Sequence, residues 1–445
     1  MEIVFSTAGI VTLLLLMGCL LYFKNKTPLG PLALPPMIVI TSIIYYYLMP
    51  SLSFEGKGQE FLGMYLETLQ WPHIAVALYV GGALVACASA TKILTRDPSI
   101  AIAREPKTNF TVFFIILAIA IIAIIAQWRL GRLNIFAESG YNSEANYDGS
   151  LAFINLLFHP LISLSIVYAI YRKFDVRGMA FFAVCLFALF MMGFRFRIVM
   201  AIFGLAVSFL LIRGFRISLA RALLAITGGL FLNNFIVLTR TYGRGLDVGR
   251  LDGLSIGDIF RSFGGEIGPL FSFNYVAANP LPDPALLQPW AVAIARFIPS
   301  FLWADKPTPD YLAYYFQGFT ADAKAAGVAA PQHVELLLQF GWIGLPIGAF
   351  LYFKFATKVI DWAMALSYET RIATCALVPI FFGMYMPTRG YFSQVLSDGL
   401  FIFGPLFLLN IQMNRANAPI ARANSQRLAT NRQHFVPDGK DEKRD

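Results

Sequence analysis

The chain has 445 residues, 57% of them hydrophobic and 14% charged, with a formal net charge of +9 and a mean hydropathy of +0.63. Soluble domains carry about 25% charged residues, so the composition excludes an ordinary water-soluble fold and is that of an all-α polytopic integral membrane protein. No GxGxxG or GxxxxGK(S/T) follows a strand, no HExxH occurs and no Cys/His ligand spacing is present, so nucleotide-driven and zinc-type chemistry have no motif to rest on.

A helix crosses the hydrocarbon core with about 18 or more apolar residues. Such stretches run over 3–23, 31–50, 73–91, 110–128, 150–171, 178–194, 197–212, 219–239, 334–353, 371–387 and 395–413. The sixth and seventh are short and nearly fused, so the expectation is about 11 transmembrane helices, within a range of 10–13. The first has Glu2 where a signal peptide carries basic residues and is expected to be a retained helix. Cys19, Cys87, Cys185 and Cys375 fall inside apolar stretches without paired spacing, which suits small buried residues.

The chain divides into an amino-terminal bundle of about eight helices (1–239), a large loop (240–332), about three further helices (333–413) and a polar tail (414–445) expected to be disordered. Fifteen Lys and Arg residues occupy one set of short loops and six the opposite set, and the tail adds seven to the richer side. Basic loops mark the cytoplasm, so the amino terminus is expected outside and the carboxyl terminus in the cytoplasm. The surplus charge is then topological and no argument for nucleic-acid binding. The loop of 93 residues falls on the outer face. It is too apolar for disorder, and its runs 256–278 and 285–303 have the content of short interfacial helices.

Several arginines are out of place in this pattern. Arg195 and Arg197 interrupt the apolar run MMGFRFRIVM, Arg240 and Arg244 follow the eighth stretch, Arg296 is alone in AVAIARFIPSF, and Arg389 precedes the last helix. All fall on the outer side. Each has a bland reading, in which it snorkels to headgroups or pairs with an acid such as Asp398 or Glu266. As a set they suit a phosphate or pyrophosphate headgroup, which guanidinium binds bidentately while staying charged. His333 and Glu335 open the ninth stretch at its outer edge. They either cap the helix or act as a general base near a hydroxyl acceptor. His73 and His159 lack evident partners and read as structural, and His434 lies in the tail.

The segment E-x-x-x-Q-F-G-x-x-G, from Glu335 to Gly344, stands behind the long loop and behind IPSFLWADKP (298–307). It resembles the bacterial oligosaccharide repeat-unit polymerases, the Wzy-type O-antigen polymerases. Gln339 stands where that family carries Asn, which keeps an amide, and the G-x-R of Gly193 to Arg195 also resembles its pattern. The family's layout of eleven to fourteen helices with a large periplasmic loop late in the chain is similar too. The related O-antigen ligases carry a His followed by Asn, Ser or Gln well before a G-x-x-G, whereas Val334 follows His333 here, eight residues before Gly341.

The resemblance implies an inner-membrane enzyme of surface-polysaccharide and lipopolysaccharide synthesis. It would join undecaprenyl-pyrophosphate-linked repeat units at the periplasmic face without metal or other cofactor. The implied partners are the lipid-linked oligosaccharide, membrane lipids and a chain-length-regulating co-polymerase. On this reading Glu335, with His333 as substitute, lies near the acceptor hydroxyl; Arg195, Arg240 and Arg389, then Arg197, Arg244 and Arg296, hold the pyrophosphate. A ligase-like transferase and a transporter or flippase of lipid-linked sugars are the alternatives.

Overall fold

The computed structural model describes residues 7–23, 30–48, 60–61, 64–65, 70–90, 111–129, 154, 156–191, 195–214, 217–238, 276, 286, 288–298, 302–303, 305–307, 331–390, 392 and 394–412. The elements are α1 (Thr7–Phe23), α2 (Leu34–Ile43, continued by a π-turn Ile44–Leu48), α3 (Gln70–Ala88), α4 (Thr111–Arg129), α5 (Pro160–Tyr171) and α6 (Val176–Met191). There follow α7 (Arg195–Arg213), α8 (Leu219–Leu238), the short α9 (Gln288–Ala295), α10 (Gln332–Ala363), α11 (Tyr368–Ile380, prolonged by Phe381–Tyr385 and Met386–Arg389) and α12 (Gln394–Gln412). Among the described residues the one strand pairing is a two-residue ladder, Glu60 with Tyr65 and Phe61 with Met64.

Backbone N–H and C=O groups have no water to bond in hydrocarbon, so apolar runs of this length satisfy them internally as helices. Five helices among the described residues are long and apolar enough to cross a membrane: Trp71–Ala88, Phe196–Arg213, Gln332–Ala363, Tyr368–Thr388 and Gln394–Gln412. Six shorter apolar helices accompany them. The outer faces are apolar as well. Ile115, Ile119 and Ile122 of α4 and Leu351 and Phe355 of α10 are exposed, the pattern of a bundle whose solvent is lipid. The nearly fused sixth and seventh stretches are two separate helices, α6 and α7.

Small residues set the closest approaches. A Cβ on Gly82 of α3 would run into the Pro346 carbonyl of α10, and one on Gly204 of α7 would meet Leu377 of α11 at 2.9 Å. Cys87, Cys185 and Cys375 are buried and Cys19 partly so. At one end of the bundle Lys354 Nζ donates to Ser89 Oγ (2.8 Å) and Arg172 pairs with Asp175 between α5 and α6. At the other end the carboxyl end of α2, the amino ends of α3, α5, α7 and α12 and the carboxyl end of α11 converge. His73 Nε2 lies 3.4 Å from the Tyr46 carbonyl, the Phe196 and Tyr385 rings are 4.9 Å apart, and His159 reaches Asp398.

The expected ninth span is not one straight helix. Gly341 has φ 63° and ψ −160°, and the chain reverses there. Gln332 and Tyr352 are neighbours in space, although twenty helical residues would separate the two by about 30 Å. Leu336 sits on Gly344 and Gly348: a Cβ on Gly344 would be 2.8 Å from the Leu336 carbonyl, and one on Gly348 3.1 Å from Leu336 Cγ. Residues 332–340 are therefore a half-helix folded back onto 342–363. The spacing G-x-x-G has a physical reading. Gly341 takes a backbone conformation open to glycine alone, and Gly344 and Gly348 form the groove that receives Leu336.

Candidate functional site

The reversal carries His333 and Glu335 inward. Expected at the outer edge of a span, they are instead 1% exposed on the buried half-helix, because the turn at Gly341 lays that half-helix against α2, α3 and the end of α11. Glu335 Oε2 accepts the backbone N–H of Phe392, at the start of the last helix. The Tyr46 hydroxyl donates its one proton to the Pro387 carbonyl (3.0 Å). His333 presents both ring nitrogens to the same hydroxyl oxygen, Nε2 at 3.1 Å and Nδ1 at 3.3 Å, so the nitrogen that bonds it is a donor. Tyr79 donates to Gln332 Oε1 (2.5 Å), and its ring lies 5.8 Å from that of His333. Two tyrosines from two elements, Tyr46 and Tyr79, thus hold the amino end of the half-helix.

A second cluster lies beside the same α11 end. Asp398 of α12 is 2% exposed. Its Oδ1 is 3.1 Å from His159 Nε2, and its Oδ2 accepts the Tyr385 hydroxyl at 2.6 Å. The guanidiniums of Arg197 and Arg296 both lie within electrostatic reach of this carboxylate. Arg197, in the first turn of α7, is 7% exposed, and Arg296, just beyond α9, is half-buried. The expectation that His159 lacks a partner is thereby corrected, since a buried acid from the far end of the chain lies 3.1 Å from it; the structural reading of His159 is untouched.

The short helix α9 brings the long loop to this place. Its Trp290 ring packs at a tilt against Phe392 with centroids 4.1 Å apart, and the Phe297 ring lies 6.4 Å from that of Phe401. Phe392 therefore joins the two halves: its N–H holds Glu335 and its ring seats α9. Arg197 and Arg296 lie within electrostatic reach of Asp398, the acid that one of the bland readings named. The arrangement sets two guanidiniums within electrostatic reach of a carboxylate that is itself beside a histidine and bonded to a tyrosine.

Of the residues expected at a site, Glu335, His333, Arg197 and Arg296 come together at one end of the bundle. Arg195 begins α7 and Arg389 ends the α11 extension, so both backbones are at that end; their side chains lie outside the described residues. Arg240 and Arg244, Glu266, most of the loop 240–332 and the tail also lie outside them. The sequence reading missed His159, Tyr46, Tyr79 and Tyr385. A single aspartate in the otherwise apolar last helix was the signal available for the second cluster, since an ionisable residue at that depth calls for a partner.

Chemically, the site offers two buried carboxylates, Glu335 and Asp398, two buried imidazoles, His333 and His159, and cationic groups suited to an anion. Among the described residues no three His, Cys, Asp or Glu side chains are grouped to hold a metal ion. Compared with protein-family models, with curated proteins and with solved structures, the chain matches none.

Proposed function

We propose that the chain is a multi-pass glycosyltransferase of a bacterial inner membrane, with about 11 spanning helices. It polymerises undecaprenyl-pyrophosphate-linked oligosaccharide repeat units at the periplasmic face. The amino terminus is periplasmic, the carboxyl terminus cytoplasmic, and the end of the bundle holding Glu335 and Asp398 faces the periplasm. In the reaction the acceptor sugar's hydroxyl oxygen bonds to the anomeric carbon of the growing chain. The bond from that carbon to the pyrophosphate oxygen breaks with its electron pair, and the hydroxyl proton passes to Glu335. Donor activation resides in the pyrophosphate, so no nucleotide is consumed.

One observation carries this reading. The buried charged side chains among the described residues, Arg197, Glu335 and Asp398, all sit at one end of the bundle around residues 385–392. A transporter of the same lipid would want charge along a path to both faces. A reaction confined to one face needs it at one end, and guanidinium fields are strongest where water is thin.

The test is glycan chain length in a host lacking the gene, complemented with wild type, Glu335→Gln, Arg197→Ala, Arg195→Ala, Arg240→Ala or Arg389→Ala at equal membrane levels. Collapse of the ladder to a single repeat unit that still reaches the surface supports the polymerase. Normal ladders in all variants remove the site, and loss of even the single unit points to ligation or export.

A further inference from the structure

Three distant parts of the chain meet at one hydroxyl. That of Tyr46 lies 3.0 Å from the Pro387 carbonyl oxygen, and 3.1 and 3.3 Å from Nε2 and Nδ1 of His333. Tyr46 is 3% and His333 1% exposed, a setting in which an unmade bond is expensive. The carbonyl can only accept, so the hydroxyl gives it the one proton and its oxygen receives from the imidazole. Both ring nitrogens of His333 are thus turned to one oxygen. That is the placement of a strut, whereas a base needs a nitrogen aimed at the proton it takes.

The local structure prepares Tyr46 for this contact. It lies in the π-turn Ile44–Leu48 that ends α2, and π-turns inside helices gather at functional sites. α2 packs closely on the π-turn of α11, where a Cβ on Gly383 would stand 3.0 Å from Met37 Cγ. Pro387 belongs to Met386–Arg389, the last turn of the same helix. Carbonyls of a last turn have no partner within their own helix, and Tyr46 supplies one from α2.

The half-helix is thereby tied to the segment 387–392 at two points. His333 reaches Pro387 through Tyr46, and Glu335 holds the Phe392 N–H. The backbone of Arg389, a candidate for the pyrophosphate, runs between the two ties. They set the carboxylate on the half-helix and the arginine-bearing turn in one register. Register matters to a group transfer, since misplacing reacting groups by about 1 Å can lower the rate on the order of a hundredfold.

We propose that Tyr46 is a positioning residue of the glycosyl transfer and that His333 works through it, not as a base: the chain His333–Tyr46–Pro387 fixes the segment 387–392 against Glu335. The inference rests on the role given to Glu335 under the proposed function. Neither Tyr46 nor His333 touches substrate in this scheme.

The experiment uses purified, detergent-solubilised full-length protein and, as substrate, a lipid extract of the host lacking the gene, in which the lipid-linked repeat unit stays unpolymerised. The initial rate of ladder growth is read per molecule of the monodisperse folded fraction, over a series of extract concentrations. Tyr46→Phe is expected to lower the rate at saturating extract on the order of tenfold to a hundredfold, with the half-saturating concentration unchanged. A residue that only stabilised the bundle would shrink the folded fraction and leave the rate per folded molecule. His333→Leu is expected to fall as far, and to lower the rate little further when added to Tyr46→Phe, since both break one chain of contacts. His333→Gln, whose amide can still donate to the hydroxyl, is expected to be on the order of tenfold faster than His333→Leu. A wild-type rate in Tyr46→Phe, full additivity in the double variant, or equal rates in His333→Gln and His333→Leu, as a base would give, overturns the inference and leaves the polymerase reading standing. A wild type that builds no ladder overturns both. If Tyr46→Phe does not fold, the comparison of His333→Gln with His333→Leu decides.

Discussion

Replacing Gly341 by alanine tests the reversal on which the position of Glu335 depends. Gly341 has φ 63° and ψ −160°, a region where a side chain costs on the order of 1–3 kcal/mol. Nothing else stands within 4 Å of a Cβ at this position, so the cost is conformational and not steric. It falls on the hairpin alone, and at about 1.4 kcal/mol per factor of ten it opens the half-helix roughly five- to more than a hundredfold more often. The reporter is a cysteine pair, Leu336→Cys with Gly348→Cys, in a background without the four native cysteines. Leu336 Cγ is 3.1 Å from where a Cβ on Gly348 would stand, so the two Cβ atoms fall near the roughly 4 Å that a disulfide needs. A straight helix would hold these positions about 18 Å apart. Rapid disulfide formation, counted by mass after thiol alkylation, is expected in the glycine protein and a lower yield in Gly341→Ala. Two free, alkylatable cysteines in the glycine protein would refute the reversal, and equal yields in both would refute the role given to Gly341.

Glu335→Gln keeps an oxygen for the Phe392 N–H, so it should lose the glycan ladder while its thermal midpoint stays near wild type. Glu335→Ala strands that buried donor and should also cost about 1–3 kcal/mol of stability in a denaturation series. Gly82→Ala drives a methyl into the Pro346 carbonyl and should destabilise the α3–α10 contact by about 1–3 kcal/mol, seen as a lower melting temperature in detergent. Asp175 lies outside the spanning helices, and its carboxyl is held below the ordinary aspartate range by the Gly178 N–H and then by Arg172. A lowered folded value means the contribution is present above the ordinary aspartate range and lost as pH falls through the folded value. The stability difference between wild type and Asp175→Asn should therefore shrink toward zero on acidification below pH ~4; a constant difference would show that Asp175 contributes nothing through its charge.

Much of the architecture was legible because hydrocarbon leaves the backbone so few options. The apolar stretches carry helices, and the out-of-place charges Arg197, Arg296 and Glu335 converge at one end. The reversal at Gly341 was not legible, since residues on both sides are apolar and helical, and no periodicity marks a change of direction. The glycines of Gly341 and Gly344 were visible as a spacing, but what they accommodate, the Leu336 side chain returning onto its own helix, is a tertiary fact. The partner of His159 was hidden for a similar reason: it lies on the last helix, and no local pattern links the beginning of α5 to Asp398. Arg240 and Arg244 lie outside the described residues.

The seating of the half-helix also bears on how the chain is assembled. Residues 332–340 measure about 14 Å as a helix, less than half the hydrocarbon thickness, so an insertion machinery that reads hydrophobic length would not take them as a span. Their anchors, Tyr46 and Tyr79 on one side and Phe392 on the other, straddle them in the order of synthesis. The half-helix can only settle after α11 and the start of α12 have been made, which makes it a late event in biogenesis. Truncation after residue 363 should leave an inserted bundle whose segment 332–340 is open to protease, and co-expression of the missing carboxyl-terminal helices should protect it.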